Sequence, residues 1–118
     1  MANHQSQNRT AVISLPAEID AINADHVGSQ LLAAFGPGIT TVIADMTGTT
    51  FCDSSGIRVL LQAHQQARAN HAELVLVVAS AGVLRVLELT GLDVLLPIYP
   101  TLAEAMAARA TADTRSAG

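Results

Sequence analysis

Thr41-Val42-Ile43-Ala44-Asp45-Met46-Thr47-Gly48-Thr49-Thr50-Phe51-Cys52-Asp53-Ser54-Ser55-Gly56-Ile57 is the stretch on which the fold turns. Thr41 to Met46 is a β-branched, apolar run suited to a central strand buried on both faces, and Asp45 is the one charge within it. Gly48 to Ser55 turns the chain. From Gly56 the pattern becomes helical: Ile57, Leu60, Leu61 and His64 recur at helical spacing, and Gln62, Gln65, Gln66 and Arg68 face water.

The same alternation extends in both directions. Upstream, Ala11 to Leu15 reads as a short strand and Pro16 to Ile22 as a turn leading to Asn23, a candidate N-cap. The helix that follows carries Val27, Leu31, Ala34 and Phe35 on one face and stops at Gly36-Pro37-Gly38. Downstream, Leu74 to Ala79 predicts a second buried strand, Ser80 an N-cap, and Ala81 to Leu89 a helix ended near Gly91. Val94 to Ile98 predicts another strand, and Thr101-Leu102-Ala103-Glu104 is a capping box opening a last helix. Strands alternating with helices imply an α/β sheet with right-handed crossovers.

Length and composition bound what such a sheet can do. A chain of 118 residues holds one core, read here as a polar N-terminal tail over 1–9, a single domain over 10–110 and a flexible tail over 111–118. There are six basic residues, all Arg, against ten acidic ones, for a net charge of −4. Phosphate-tracking nucleic-acid binding needs a basic face that is missing here. No apolar run approaches the roughly 20 residues of a membrane span, and Met1 to Thr10 has no apolar secretory core. A single cysteine, Cys52, fits a reducing, cytoplasmic setting.

Chemistry concentrates between Asp45 and Ile57, where two acids, two serines and a helix start meet. In an α/β sheet, functional groups gather at the carboxyl ends of strands and the N-termini of the following helices, where free N–H groups favour anions. A phosphoryl group on a serine there suits the host fold. Asp and Ser are also preferred N-caps, so Asp-Ser-Ser-Gly could equally serve only to satisfy backbone donors.

Wider context separates these readings. The sequence resembles the STAS domain family, specifically the small bacterial anti-sigma factor antagonists, through Asp45 and Thr47-Gly48-Thr49-Thr50-Phe51-Cys52-Asp53-Ser54-Ser55-Gly56-Ile57 after a buried strand. Glu18-Ile19-Asp20, Leu89-Thr90-Gly91-Leu92-Asp93 and Pro97 to Ala105 add to it, so that the resemblance spans Val12 to Ala107. It implies a mixed four- to five-stranded sheet flanked by about four helices, and a binding protein without catalysis or cofactor. It further implies partner switching, in which the unmodified antagonist binds an anti-sigma factor and frees the sigma factor. The anti-sigma factor is in many pairs a serine kinase that uses ATP, and a metal-dependent phosphatase of the PP2C type resets the switch.

Residue by residue, the resemblance makes Ser55 the phosphoacceptor, Ser54 its neighbour, and Asp45 and Asp53 the flanking acids, with Gly56 completing the motif. A partner surface is expected around Glu18, Asp20, Thr49, Asp53, Ser54 and Ser55, with Arg58 and Gln62 at its rim. Three departures stand out: Ala17 replaces the usual glycine before Glu-Ile-Asp, the first edge strand looks truncated, and Arg58 occupies a position where a small residue is common. Arg58, three residues after Ser55, is placed to meet a phosphate there.

Other readings are weaker. His4, His26, His64 and His71 form no H-x-x-x-H pair, and Cys52 reads as a small buried hydrophobe rather than a reactive thiol. A serine hydrolase needs G-x-S-x-G and a later acid and histidine, but the first glycine is absent and no histidine follows Asp93. A docking module of the same fold with no Ser55 switch is the remaining alternative.

Overall fold

The structure, a computed structural model, describes residues 9–117, with side chains described as far as Ala110. Six strands, β1 (Arg9–Ser14), β2 (Glu18–Ile19), β3 (Ile39–Met46), β4 (Phe51–Cys52), β5 (Glu73–Val78) and β6 (Ile98–Tyr99), alternate with five helices. The helices are α1 (Ala24–Ala34), α2 (Ser54–Ala69), α3 (Ala81–Thr90), α4 (Leu92–Leu95) and α5 (Leu102–Ala117). The main sheet has the order β1-β3-β5-β6, and β2 pairs with β4 in a small second sheet.

Every described pairing is parallel. The expected α/β sheet with flanking helices is therefore present. An edge strand before β1, and most of the expected N-terminal tail, would fall on residues 1–8, outside the described residues.

Strand alternation explains the two layers. Val42, Ala44 and Met46 of β3 and Leu74, Leu76 and Val78 of β5 point to one face, where they pack with Val27 and Leu31 of α1, Val59 and Leu60 of α2 and Val83 and Leu87 of α3. The intervening Ile43, Val75 and Val77 point to the other face, against Ala105, Leu102 and Tyr99. With both faces covered, β3 and β5 read as continuous apolar runs, which is what made them visible in the sequence.

Several boundaries differ from expectation for identifiable reasons. The helix after the central loop begins at Ser54, not Gly56, because Asp53 supplies the cap. Its buried stripe is Gly56, Val59, Leu60, Ala63 and Ala67; Ile57, Leu61 and His64 lie half-buried to one side of it. Small residues on that stripe let the helix approach the sheet closely. Val94 to Ile98 is not one strand: Gly91, at φ +81, ends α3 and turns the chain into the single turn of α4, leaving only Ile98–Tyr99 to pair. The last helix runs on to Ala117, past Thr111 where a tail was expected, since no Gly or Pro interrupts it.

Candidate caps divide similarly. Ser80 accepts the Val83 N–H at 3.3 Å as expected. Thr101 accepts the Glu104 N–H at 3.1 Å, but the Glu104 carboxylate returns to the Thr101 hydroxyl instead of its backbone. Asn23 makes no side-chain cap, and instead reaches back into the turn before α1.

Candidate functional site

The site lies at the carboxyl edge of the parallel sheet, where β3 gives way to the loop before α2. Two chain segments, 16–20 and 47–53, are stitched together there. The Leu15 N–H donates to the Asp45 carbonyl (2.9 Å), Thr50 and Phe51 N–H groups donate to the Ala17 carbonyl (2.8 and 3.3 Å), and the Asp53 N–H donates to the Ile19 carbonyl (3.1 Å). Glu18 and Ile19 stand in register with Phe51 and Cys52. Ala17, in place of the glycine usual in the resembling family, carries no positive φ and is exposed, so its methyl is accommodated.

Asp53 organises the start of α2. It is the N-cap, with extended backbone (φ −93, ψ −170), and its carboxylate accepts the N–H groups of Ser55 (2.8 Å) and Gly56 (3.3 Å). Ser54 and Ser55 therefore occupy the first two helical positions, Ser54 exposed and Ser55 half-buried. Asp45 performs a smaller version of the same task, accepting the Thr47 N–H at 3.0 Å.

Thr49, expected to meet a partner, does not lie on the surface. It is fully buried, and its hydroxyl donates to the Pro16 carbonyl at 2.8 Å. Its role is to lock the two segments together. A buried hydroxyl must be hydrogen-bonded, and this one is satisfied internally.

The turn before α1 is equally ordered. The Asp20 carboxylate accepts Ile22 and Asn23 N–H groups (2.9 and 3.3 Å), while the Asn23 amide accepts from the Asp20 N–H (3.0 Å) and donates to the Glu18 carbonyl (2.7 Å). Glu18 is exposed. Arg58 and Gln62 lie on the exposed side of α2, and the Arg58 guanidinium reaches Asp25 of α1 at 3.4 Å. Two surface residues were missed by sequence reasoning: Ile22 is 94% exposed at the tip of the ordered turn, and Phe51 is 50% exposed beside the α2 start. Phe51 also lines a cavity of about 190 Å³ with Thr50, Cys52, Gly82, Val83 and Val86. An apolar residue inside a polar turn was the available signal for Ile22.

Beneath the helix start lies Cys52, buried as expected. Burial first, and the Asp53 charge second, push its thiol up to about 11. At pH 8 only about one molecule in a thousand would hold the thiolate that reacts. Native protein should therefore resist labelling by an aromatic disulfide reagent at pH 8 and label only in denaturant; labelling of the folded chain at the rate of a free thiol would contradict this placement.

No metal centre emerges, as no group of three or more His, Cys, Asp or Glu that could hold an ion occurs among the described residues. His26 and His71 are exposed and His64 is half-buried, while His4 lies outside the described residues. No described helix is long and apolar enough to cross a membrane. Among the described residues, no histidine is hydrogen-bonded to the hydroxyl of Ser54 or Ser55. What the arrangement offers is a serine pair on a capped helix start, framed by acids and by two exposed apolar side chains.

Comparison with known proteins agrees with this geometry. A family model for the STAS domain matches residues 1–105. A Mycobacterium tuberculosis protein named as an anti-anti-sigma factor is 34% identical over 98 residues, which are 80% of this chain and 66% of that protein. Among solved structures, an anti-sigma factor antagonist from Mycobacterium paratuberculosis superposes with a TM-score of 0.76 at 26% identity, covering 84% of each chain. The anti-sigma factor antagonist SpoIIAA, in its unphosphorylated form, gives a TM-score of 0.70 at 27% identity over 84% of this chain and 86% of its own. SpoIIAA, from Bacillus, has also been solved in a phosphorylated form.

Proposed function

The chain belongs to the STAS domain family, and from that premise we propose that it is an anti-sigma factor antagonist controlled by phosphorylation of Ser55. The unmodified form binds an anti-sigma factor and so releases a sigma factor; the modified form does not bind. The observation that carries this reading is the Asp53 cap, which fixes both serines on the first turn of α2, beside the exposed Phe51. A phosphate at Ser55 would lie beside the Asp53 carboxylate and add about −1.5 to −2 charges. A partner face shaped for a hydroxyl would then meet repulsion and desolvation cost.

Ser55 needs no base of its own, because a kinase supplies base, ATP and metal. The implied partners are thus an anti-sigma factor with serine kinase activity and a PP2C-type phosphatase, acting in the cytoplasm, with no catalysis by this chain. Glu18, Asp20, Ser54, Arg58 and Gln62 join Ser55 in the docking surface, Ile22 and Phe51 supply its apolar contacts, and Thr49, Asp45 and Gly56 support it from below.

The test uses Ser55→Ala and Ser55→Asp forms as baits in lysate of the source cell, with and without ATP. Capture of a sigma-factor-binding, ATP-binding partner by the Ala form and not the Asp form is the expected result. Equal capture by both would leave a docking module without a Ser55 switch.

A further inference from the structure

We propose that the groove between α3, α4 and β6 is a second docking surface, one that takes a basic, leucine-rich segment of a partner protein independently of Ser55. The groove is an open depression of about 500 Å³. It lies at the carboxyl ends of β5 and β6, the sheet edge that also carries the serine loop.

Its composition defines the occupant. Leu84, Leu96, Ile98 and Pro100 give it aliphatic walls, and Glu88 and Asp93 face it from α3 and α4. Neither carboxylate has an ion pair or hydrogen bond among the described residues. Asp20, Asp45 and Asp53 differ in this respect, since each of their carboxylates is already held by backbone N–H groups. Next in the chain to the two free acids stand Leu89 and Val94, 71% and 83% exposed. Aliphatic walls with two unpaired acids suit a long cationic side chain, whose stem packs on apolar surface while its head meets a carboxylate. Leu89 and Val94 lie outside the groove's lining, as exposed apolar surface beside it for neighbouring residues of the same segment. Anionic lipid or nucleic acid would be repelled by the same acids. A second copy of this chain is disfavoured by its own net charge of −4.

The probe is a capped peptide of alternating leucine and arginine, titrated into the full-length, isotopically labelled chain and followed by amide chemical shifts. Shifts should concentrate at Leu84, Glu88, Val94 and Ile98. The isosteric pair Glu88→Gln and Asp93→Asn, both on exposed side chains, should weaken binding by about tenfold. Ser55→Asp should leave the affinity of this peptide unchanged, which separates the groove from the serine site. The proposal is overturned if a glycine–arginine peptide binds as well, if the shifts centre on Glu18 and Asp20, or if the double variant binds the leucine–arginine peptide unimpaired.

Discussion

Gly56→Ala is expected to destabilise the fold by about 2 kcal/mol, although alanine is the better helix former. A Cβ at this position would stand 2.5 Å from the Cys52 Sγ and 2.9 Å from the Ile19 Cγ2. Both are inside any real contact distance, and both neighbours belong to the paired strands β2 and β4. The helical gain from Gly to Ala is about 1 kcal/mol, whereas forced overpacking costs about 1–3 kcal/mol and sometimes more. The clash wins. Gly82→Ala serves as the control, since a Cβ there meets only the Ser80 Oγ at 3.7 Å, and it should stabilise by up to about 1 kcal/mol. Urea unfolding midpoints decide the matter. Adding Cys52→Ala should restore part of the Gly56→Ala loss, with the Ile19 contact remaining. A Gly56→Ala chain as stable as the parent would mean that α2 does not seat on β2 and β4 as described.

Phosphorylation of Ser55 is expected to lower affinity for the anti-sigma factor by about two orders of magnitude, equivalent to about 3 kcal/mol. Arg58 is expected to limit that loss. Its present contact with Asp25 spans 3.4 Å between side chains 52% and 93% exposed, and such pairs contribute at most about 1 kcal/mol. A phosphate three residues away on the same helix offers a stronger, charge-assisted bond. The guanidinium should therefore leave Asp25 and neutralise part of the new charge. Calorimetry on the phosphorylated chain should show a further several-fold weakening in Arg58→Ala, with the unphosphorylated affinities alike. Equal affinities of the two phosphorylated forms would remove Arg58 from the switch.

The fold and the place of the serine loop within it were legible for the same reason. β3 and β5 are covered on both faces, so their centres are apolar runs, Val42 to Ala44 and Leu74 to Val78, and the polar loop between β3 and α2 is where two acids and two serines collect. The remainder depended on contacts distant in sequence. Thr49 looks like an ordinary loop threonine until its hydroxyl meets Pro16. The inner stripe of α2 uses Gly56, Ala63 and Ala67, residues too small to register as an apolar face beside Ile57 and Leu61. Val94 to Ile98 has the composition of a strand, but the left-handed Gly91 redirects the chain into a helical turn first. Arg58 was read from the sequence as a rim residue, while its contact with Asp25, on another helix, left no local sign.

Because every described strand pairing is parallel, none of the described strand pairs can close through a local hairpin. The bond that locks the serine loop joins Thr49 to Pro16, 33 residues apart in the chain. Until β3 and α1 have been made and packed, the surface read by a partner does not exist. A nascent, truncated or unfolded copy is thus silent in signalling, and a partner that grips this surface draws the chain toward its folded form in proportion to its own concentration.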